Sequence, residues 1–457
     1  MKTGTQKKHL FHALPPFLAA IVAGIALISW ASPLHAEKRN IPGEKPKSTA
    51  AYQTAVDSIT AETLKQHVDF LADDELQGRK PGTQGSRAAG RYIAEEYAKY
   101  GLTPGDAEES DGNGDYFQPF SNRYRNVLAI LPGSDPKLKA EMIVIGAHYD
   151  HLGMRRLGQI FNGADDNASG IAGLLELAEA FSILPTPPRR TILFAAWDGE
   201  ESGLLGSMHW VRNPAPSDTQ VVFMINMDMI GRLRNDKLRI HACRSGFGLR
   251  RLLSTLNPDL TIHFTEKIKM RSDHYSFYSA GIPAIMFNTG RHEQLHTPRD
   301  DAELINAPGM QRVARLVFAT ADNLANAEQV SQFREASRGE QPQSNEQYYA
   351  QSLDSPSKPL KLGIFWREDD AEPGTVVLTH VVEGMPAAHA GLTTGDRIYR
   401  LDGKRFKDTA EFAKRVNEGK GPLQMLIERD GKLRTVEVKS AIKAQSQNKP
   451  PTQNSGS

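Results

Sequence analysis

Acidic and histidine side chains follow several short apolar segments of this chain. Five of them stand at the end of such a segment or just after it: His148, Asp150, Glu200, Glu201 and Asp228. Carboxylates crowded into one cleft repel one another, and a bound divalent cation removes that cost. Histidine together with carboxylate oxygens suits zinc, and manganese or cobalt would accept the same ligands. The pattern therefore predicts a metal site.

Two turn-rich segments carry further candidate ligands. Asp165 and Asp166 lie in NGADDNASG at 162–170, and His296 lies in QLHTP at 294–298. Each signal alone has a simpler explanation, since Asp and Asn form turns, paired glutamates suit the start of a helix, and single histidines are common on surfaces. Their placement after successive strands favours one shared site, because open α/β sheets bind ligands beyond the carboxyl ends of their strands.

The elements that must position these residues alternate between strand and helix. Strands are predicted at 141–147, 191–197, 221–227 and 284–287, and helices at 169–184, 203–212, 247–256 and 301–323. Apolar strands alternating with helices predict an α/β fold, with a mostly parallel mixed sheet flanked by helices on both faces.

The motifs resemble those of the co-catalytic zinc aminopeptidases, which include bacterial leucyl aminopeptidases and relatives of glutamate carboxypeptidase II. The similarity extends from about residue 60 to 324. In chain order the matching segments are LQGR (76–79), PGT (81–83), HYD (148–150), GADDNASG (163–170), DGEESGLLGS (198–207), NMDM (226–229), SDH (272–274) and LHT (295–297).

This resemblance implies two zinc ions per chain, with Asp166 bridging them. It also implies that the other four ligands divide between the two ions, with His148 and Asp228 on one ion and Glu201 and His296 on the other. It also implies peptide hydrolysis by a hydroxide shared between the metals, with Glu200 as the general base and Asp150 orienting the imidazole of His148. Two interpretations of Ser272, Asp273 and His274 stay open: they line the site, or Ser272 caps the helix that follows.

The function expected from these residues is that of an aminopeptidase, because an acidic site can pair with a free α-ammonium group. A carboxypeptidase or dipeptidase of the same fold is the alternative. It needs cations for the substrate carboxylate, and the candidates are Arg155, Arg156, Arg232 and Arg271. A single-zinc glutaminyl-cyclase-like enzyme or an inactive receptor-like scaffold is disfavoured, since all five ligands and Glu200 are present.

A second ordered unit is expected at 358–442, and it resembles the PDZ domains of bacterial proteases. The resemblance rests on VEGMPAAHAGLTTGDRI at 382–398 and on KLGI at 361–364, which looks like a carboxylate-binding loop. Residues 427–432 predict a hairpin with an Asp-Gly turn. The domain is expected either to bind C-terminal peptides by strand addition or to serve as a packing or regulatory surface.

Composition limits the remaining possibilities. The net charge of the 457 residues is +1 and there is one cysteine, so neither nucleic-acid binding nor an internal disulfide is indicated. A basic start followed by a short apolar stretch predicts a signal peptide and export to the periplasm or the medium, with a membrane anchor only if it is not cleaved. The expected organisation is signal peptide 1–36, flexible lead-in 37–55, peptidase domain 56–325, linker 326–357, PDZ domain 358–442 and disordered tail 443–457.

Overall fold

The computed structural model describes residues 49–439, apart from 106–114, 122, 156–157, 217–218, 266–267, 269–271 and 341–360. The predicted signal peptide, the lead-in up to residue 48 and the predicted tail lie outside the described residues. None of the helices in the described segments is both long and apolar enough to cross a membrane.

A nine-stranded sheet organises the larger, N-terminal part of the described chain. Its strands are β1 (Thr103–Pro104), β2 (Phe117–Phe120), β3 (Tyr124–Leu131), β4 (Glu141–His148), β7 (Thr191–Trp197), β8 (Gln220–Met227), β9 (Lys237–His241), β10 (Thr261–Thr265) and β11 (Ala284–Asn288). The order is β1-β3-β7-β4-β8-β11-β9-β10, with β2 also paired to β3. Strands β7, β4, β8 and β11 are parallel neighbours at the centre, whereas β1, β2 and β3 add antiparallel pairings at one side. Short strands β5 (Gly153–Met154) and β6 (Ile160–Phe161) form a separate pair.

Helices cover both faces of this sheet, which confirms the predicted fold class. They are α1 (Ala50–Ser58), α2 (Ala61–Leu71), α3 (Gln84–Lys99), α4 (Gly170–Ser182), α5 (Leu205–Arg212), α6 (Leu249–Leu256), α7 (His274–Ser279) and α8 (Ala307–Asn326). Helix α4 is apolar at almost every position and is buried against the sheet and helices α2 and α8. On the opposite face, Trp197, Trp210 and Phe277 form a second core beneath α5 and α7.

Two predicted boundaries are wrong. Residues 50–55 belong to helix α1 and not to a flexible lead-in, because the Thr49 side chain accepts a hydrogen bond from the Tyr52 amide and Ala55 is buried in the core. Helix α8 begins at Ala307 and not at 301. Asn306 accepts a hydrogen bond from the amide of Gly309 there, which sets the first turn of the helix.

The C-terminal unit is built on a five-stranded antiparallel sheet in sequential order. Its strands are β12 (Ile364–Glu368), β13 (Val376–Val381), β14 (Arg397–Leu401), β15 (Leu423–Arg429) and β16 (Lys432–Val438). Helices α9 (Pro386–His389) and α10 (Thr409–Glu418) pack on it around a separate core that includes Leu378, Phe412 and Met425. The predicted Asp-Gly hairpin joins β15 to β16.

Buried ion pairs attach this unit to the first one. Arg244, which follows β9, donates to Asp369 over 2.8 Å, and Asp369 also accepts from Arg397 at 2.9 Å. Arg250 of α6 donates to the fully buried carboxylate of Glu428 at 2.7 Å. Charges removed from water in this way depend on their partners, so the two units are held in a defined arrangement.

The described half of the predicted linker takes part in the same interface. The amide of Arg334 donates to the carbonyl of Ser245 over 2.8 Å, and Arg244 donates to Glu340 over 2.7 Å. The polar residues of this segment therefore form ion pairs and hydrogen bonds, and residues 326–340 are not a flexible linker. Residues 341–357 of the predicted linker lie outside the described residues.

Candidate metal centre

The carboxyl ends of β4, β7 and β8 meet at one edge of the sheet and carry most of the predicted ligands. His148 ends β4 and lies in register with Trp197, the last residue of β7. Glu200 and Glu201 come shortly after β7, and Asp228 directly follows β8. Because the three strands are parallel neighbours, their ends deliver these side chains to the same place.

Asp166 lies between two groups of side chains, and each of its carboxylate oxygens faces a different histidine. Its Oδ1 is 3.4 Å from Nε2 of His148, and its Oδ2 is 2.9 Å from Nε2 of His296. Beyond these histidines, Asp228 Oδ1 lies 3.8 Å from His148 Nε2, and Glu201 Oε1 lies 3.5 Å from His296 Nε2. The five predicted ligands therefore form two sets that share Asp166.

His151 is a candidate ligand that the sequence analysis missed. The residue is buried, and its Nδ1 lies 2.8 Å from Oε1 of Glu201 and 4.0 Å from Oδ2 of Asp166. The ligand-type atoms of these three residues lie within 4.8 Å of one another. His296, by contrast, is half exposed. A signal was available, because His151 closes the segment HYDH that begins with a predicted ligand.

Glu200 belongs with the first set, since its carboxylate lies within 4.8 Å of ligand atoms of His148 and Asp228. Asp150 fixes the backbone that carries it: the Asp150 carboxylate accepts the amides of Glu200 at 3.0 Å and Glu201 at 3.3 Å. The Nδ1 atom of His148 is 3.7 Å from Oδ1 of Asp150 but 3.2 Å from its backbone oxygen. The imidazole therefore lies nearer to the main chain of Asp150 than to its carboxylate.

Arg79 holds two ligand-bearing loops together. Its buried guanidinium donates to the carbonyls of Tyr149 at 2.8 Å, Asn162 at 2.6 Å and Gly163 at 3.0 Å, and also to that of Leu71. Gly163 has φ of 59°, and a Cβ there would lie 2.1 Å from the carbonyl oxygen of Asp166, so glycine is required just before the shared carboxylate. Arg79 is thus a positioning residue for both of these loops.

Two further side chains fix the main chain around Asp166. Asp300 accepts the Asp166 amide at 3.1 Å. Asn167 donates to the carbonyl of Met227 at 3.0 Å and accepts the amide of Met229 at 3.1 Å, so it ties the turn to the segment that holds Asp228. Neither role was predicted, because each depends on contacts between segments far apart in the chain.

The pKa values of the proposed base, Glu200, and of the shared carboxylate, Asp166, are shifted in opposite directions. Burial, together with Asp273 and Asp228, raises the pKa of Glu200 well above its ordinary value, against the opposing effect of His148. Burial also opposes ionisation of Asp166, but His148 and His296 outweigh it and hold the Asp166 pKa well below the ordinary value. A carboxylate with a raised pKa is the better proton acceptor and donor near neutral pH.

The open interpretations of the SDH segment are resolved by position. Ser272 accepts a hydrogen bond from the side chain of Asn226 at 2.7 Å and does not cap helix α7. Asp273 is fully buried, and this burial is the main reason that its pKa is raised to about 7. Burial likewise lowers the pKa of His274 to about 3. None of the three lines the cavity beside the ligands.

Two of the four arginines proposed for a substrate carboxylate, Arg155 and Arg232, do not line the pocket beside the ligands. Arg155 stacks 4.6 Å above the ring of Phe161, and Arg232 donates to Gln294 at 3.3 Å. Arg156 and Arg271 lie outside the described residues.

The arrangement fits zinc. The Nε2 atom of His151 is buried without a hydrogen-bond partner among the described residues, and Nδ1 of His151 and Oε1 of Glu201, although 2.8 Å apart, do not form a hydrogen bond with each other. Buried polar atoms are normally satisfied, and a cation between imidazole and carboxylate groups would satisfy these. Zinc accepts such mixed nitrogen and oxygen ligands. A cavity of about 330 Å³ opens beside the site and gives access to its carboxylates.

Two protein-family models match parts of this chain. The model of peptidase family M28 matches residues 126–321, and the PDZ domain model matches residues 357–440. The first match contains every predicted ligand and Glu200. The second covers the antiparallel C-terminal unit.

Individual relatives agree with these matches. The chain is 32% identical over 203 residues to a probable zinc metalloprotease of Pyrenophora tritici-repentis, which covers 40% of this chain and 39% of that protein. It is 27% identical over 304 residues to a probable leucine aminopeptidase of Trichophyton verrucosum, which covers 62% and 81% respectively. The chain thus spans about two fifths of the length of the first of these relatives.

Among solved structures, the fold is similar to that of the LapA aminopeptidase of Legionella pneumophila. The TM-score is 0.53 at 22% identity, and the similarity covers 63% of this chain and 77% of that one. Residues 126–321 of the chain therefore match a domain of peptidase family M28, and residues 357–440 match a PDZ domain.

Proposed function

We propose that this protein is a zinc-dependent aminopeptidase that binds two zinc ions. The position of Asp166 supports this most directly, because its two carboxylate oxygens face two different sets of ligand-type side chains. The residues that would hold the metals are His148 and Asp228 in one set, and Glu201 with His296 and His151 in the other. Two-metal hydrolases, including aminopeptidases, share ligands in this way.

Zinc, when bound, lowers the pKa of water and polarises the carbonyl that is attacked. The protein contributes the proton transfer. Glu200 accepts the proton of the attacking water at its carboxylate and delivers it to the nitrogen of the leaving amine. Asp150 keeps Glu200 in place, because its carboxylate accepts the Glu200 amide at 3.0 Å.

The carboxylates in the cavity favour an aminopeptidase over a carboxypeptidase. The carboxylates of Glu200, Glu201 and Asp228 line the cavity and can accept hydrogen bonds from a free α-ammonium group. Of the arginines predicted to bind a terminal carboxylate, Arg155 and Arg232 do not line the cavity. Two other arginines, Arg239 and Arg291, do line it, so the substrate tests below distinguish a terminal carboxylate from an acidic side chain as their ligand.

Hydrolysis of aminoacyl p-nitroanilides and of their N-acetylated forms by the zinc-loaded protein tests this function. Cleavage of the free amines alone is expected. Cleavage of N-blocked peptides at their C-terminal bond would instead favour the carboxypeptidase or dipeptidase of the same fold. The absence of any metal-dependent hydrolysis would favour the receptor-like scaffold.

Export is a further part of the proposal, and it rests on the sequence of residues 1–36 alone. Cell fractionation with N-terminal sequencing tests it. A mature chain that begins near residue 37 in the periplasm or the medium supports cleavage, and an intact N-terminus in the membrane fraction supports an anchor.

A role for the PDZ domain in binding C-terminal peptides is proposed alongside the packing role. Strand β12 is at the edge of its sheet, and within the described chain no other strand pairs with its open side. Titration calorimetry with C-terminal peptide libraries tests this proposal, and failure of all of them to bind would leave the packing role.

A further inference from the structure

The cavity beside the metal ligands has an acidic side and a basic side. The four carboxylates that line it, from Asp166, Glu200, Glu201 and Asp228, all belong to the metal centre. Arg239 and Arg291 line it as well, together with His241 and Asn288. Bound divalent cations would offset the carboxylates, and the arginines would then dominate the charge of the remaining wall.

Neither of the two arginines forms an ion pair with another described residue. Neither Arg239 nor Arg291 has a carboxylate within salt-bridge distance in the part of the chain that the structure describes. Both side chains are exposed to the cavity and to solvent. A cation without a partner at the wall of a substrate cavity remains available for an anionic group of the substrate.

Local structure holds both arginines at this wall. The Arg239 side chain lies against Gly290, where an added Cβ would come within 3.1 Å of its Nε atom, and Gly290 has φ of 90°. The Nη2 atom of Arg234 lies 3.1 Å from the carbonyl oxygens of Gly290 and Arg291 and donates to them, which fixes the loop that presents Arg291. The basic wall is therefore built into β9 and the loop after β11.

A neighbouring cavity extends the basic surface. It has a volume of about 510 Å³ and shares Arg239 with the first cavity. Arg234, Lys237 and His263 also line it, and none of the described residues in its lining carries a carboxylate. Several positive groups around a partly enclosed space raise the local concentration of anionic ligands.

We propose that the released residue of the substrate carries an acidic side chain, glutamate or aspartate, whose carboxylate is bound by Arg239 and Arg291. This inference rests on the aminopeptidase function proposed above and names its substrate class. The first cavity, at about 330 Å³, is large enough for one such residue beside the metal ligands. The planar guanidinium group of arginine matches carboxylate geometry, so the contact selects charge as well as shape.

The test compares glutamyl and glutaminyl p-nitroanilide, which have nearly the same shape but differ in charge, with the leucyl substrate as a reference. The zinc-loaded full chain is expected to prefer glutamyl over glutaminyl substrate about 10-fold in kcat/KM, and added salt should reduce the preference. Arg239→Gln should lower the ratio about 5-fold, and Arg239→Lys should restore part of it. Arg299→Gln is the control, because Arg299 is an exposed arginine in the loop that carries Arg291 and does not line the cavity.

Calorimetric binding of L-glutamate and L-glutamine to the same protein gives a second readout that needs no turnover. Tighter binding of glutamate that depends on Arg239 supports the inference, and equal binding overturns it. Hydrolysis of leucyl and glutaminyl substrates with no preference for glutamyl overturns the acidic specificity but leaves the aminopeptidase function. The protein could instead prefer dipeptides with a free C-terminus over amidated ones and cleave glutamyl and glutaminyl substrates at equal rates. That result assigns the arginines to a terminal carboxylate and also overturns the inference. If no free-amine substrate is cleaved, the proposed function fails and the acidic substrate class fails with it, whereas the glutamate titration then shows separately whether Arg239 binds a carboxylate.

Discussion

Replacement of Arg79 by methionine tests how the two ligand-bearing loops are held. The guanidinium is fully buried and donates to four backbone carbonyls, those of Leu71, Tyr149, Asn162 and Gly163. Methionine keeps the length and apolar stem but removes every donor. At about 1 kcal/mol for each buried acceptor left without its donor, the free energy of unfolding should fall by about 4 kcal/mol.

Metal affinity should fall together with stability. Tyr149 follows the ligand His148, and Gly163 precedes the shared carboxylate Asp166 by three positions, so loosening these two carbonyls loosens both ligands. We expect zinc affinity to decrease by about 10- to 100-fold, the range found when groups that support metal ligands are removed. The assays are urea unfolding followed by circular dichroism and zinc titration against a chromogenic chelator.

The matched control is Arg87→Met. Arg87 is exposed on α3 and donates to a single carbonyl, that of Gly82, so its loss should change the unfolding free energy by less than about 0.5 kcal/mol. If Arg79→Met matches this control in both stability and zinc affinity, Arg79 does not hold the site together.

Three other predictions concern the base, the second histidine and the domain interface. Glu200→Gln should keep bound zinc but lose at least about 100-fold in kcat, and near-normal turnover with full metal content would remove Glu200 as the base. His151→Ala should weaken zinc binding. The comparison variant is His292→Ala, which removes a nearby histidine that is paired with Asp165. Unchanged zinc affinity in His151→Ala would show that His151 is no ligand. For Asp369, burial opposes ionisation, but Arg244 and Arg397 outweigh it and hold its pKa far below the ordinary value of 3.8. Because this pKa is lower in the folded state, Asp369 adds stability above pH 3.8 that is lost as the pH falls below it. Acid unfolding monitored by tryptophan fluorescence should therefore depend less on pH in Asp369→Asn than in the unmodified protein. An identical profile for the two proteins would contradict the role of the ion pair.

The sequence predicts the central architecture well because local and global signals agree there. The strands that end near His148, Trp197 and Asp228 are continuous apolar segments, as expected for strands buried on both faces. Their parallel order then brings the predicted ligands to one edge without any knowledge of loops. For the same reason, the grouping around Asp166 agrees with the arrangement that the family resemblance implies.

What the sequence does not predict depends on contacts between distant segments. The role of Arg79 requires the loop at 76–79 to lie against carbonyls seventy or more positions later. The interface made by Arg244 requires partners from the C-terminal unit, and nothing in the composition of residues 326–340 distinguishes an ion-pairing segment from a free linker. The cationic wall made by Arg239 is equally hidden, because alternate residues of β9 face opposite sides and the sequence does not say which side borders the cavity.

The central claim, two zinc ions sharing Asp166, is tested most directly by the zinc content of the purified protein. Elemental analysis after dialysis against trace zinc should give about two ions per active chain, with leucyl or glutamyl substrate hydrolysed in proportion to zinc content. Asp166→Asn should retain less than one. One zinc ion per fully active chain, or two retained by Asp166→Asn at unchanged affinity, would contradict the account.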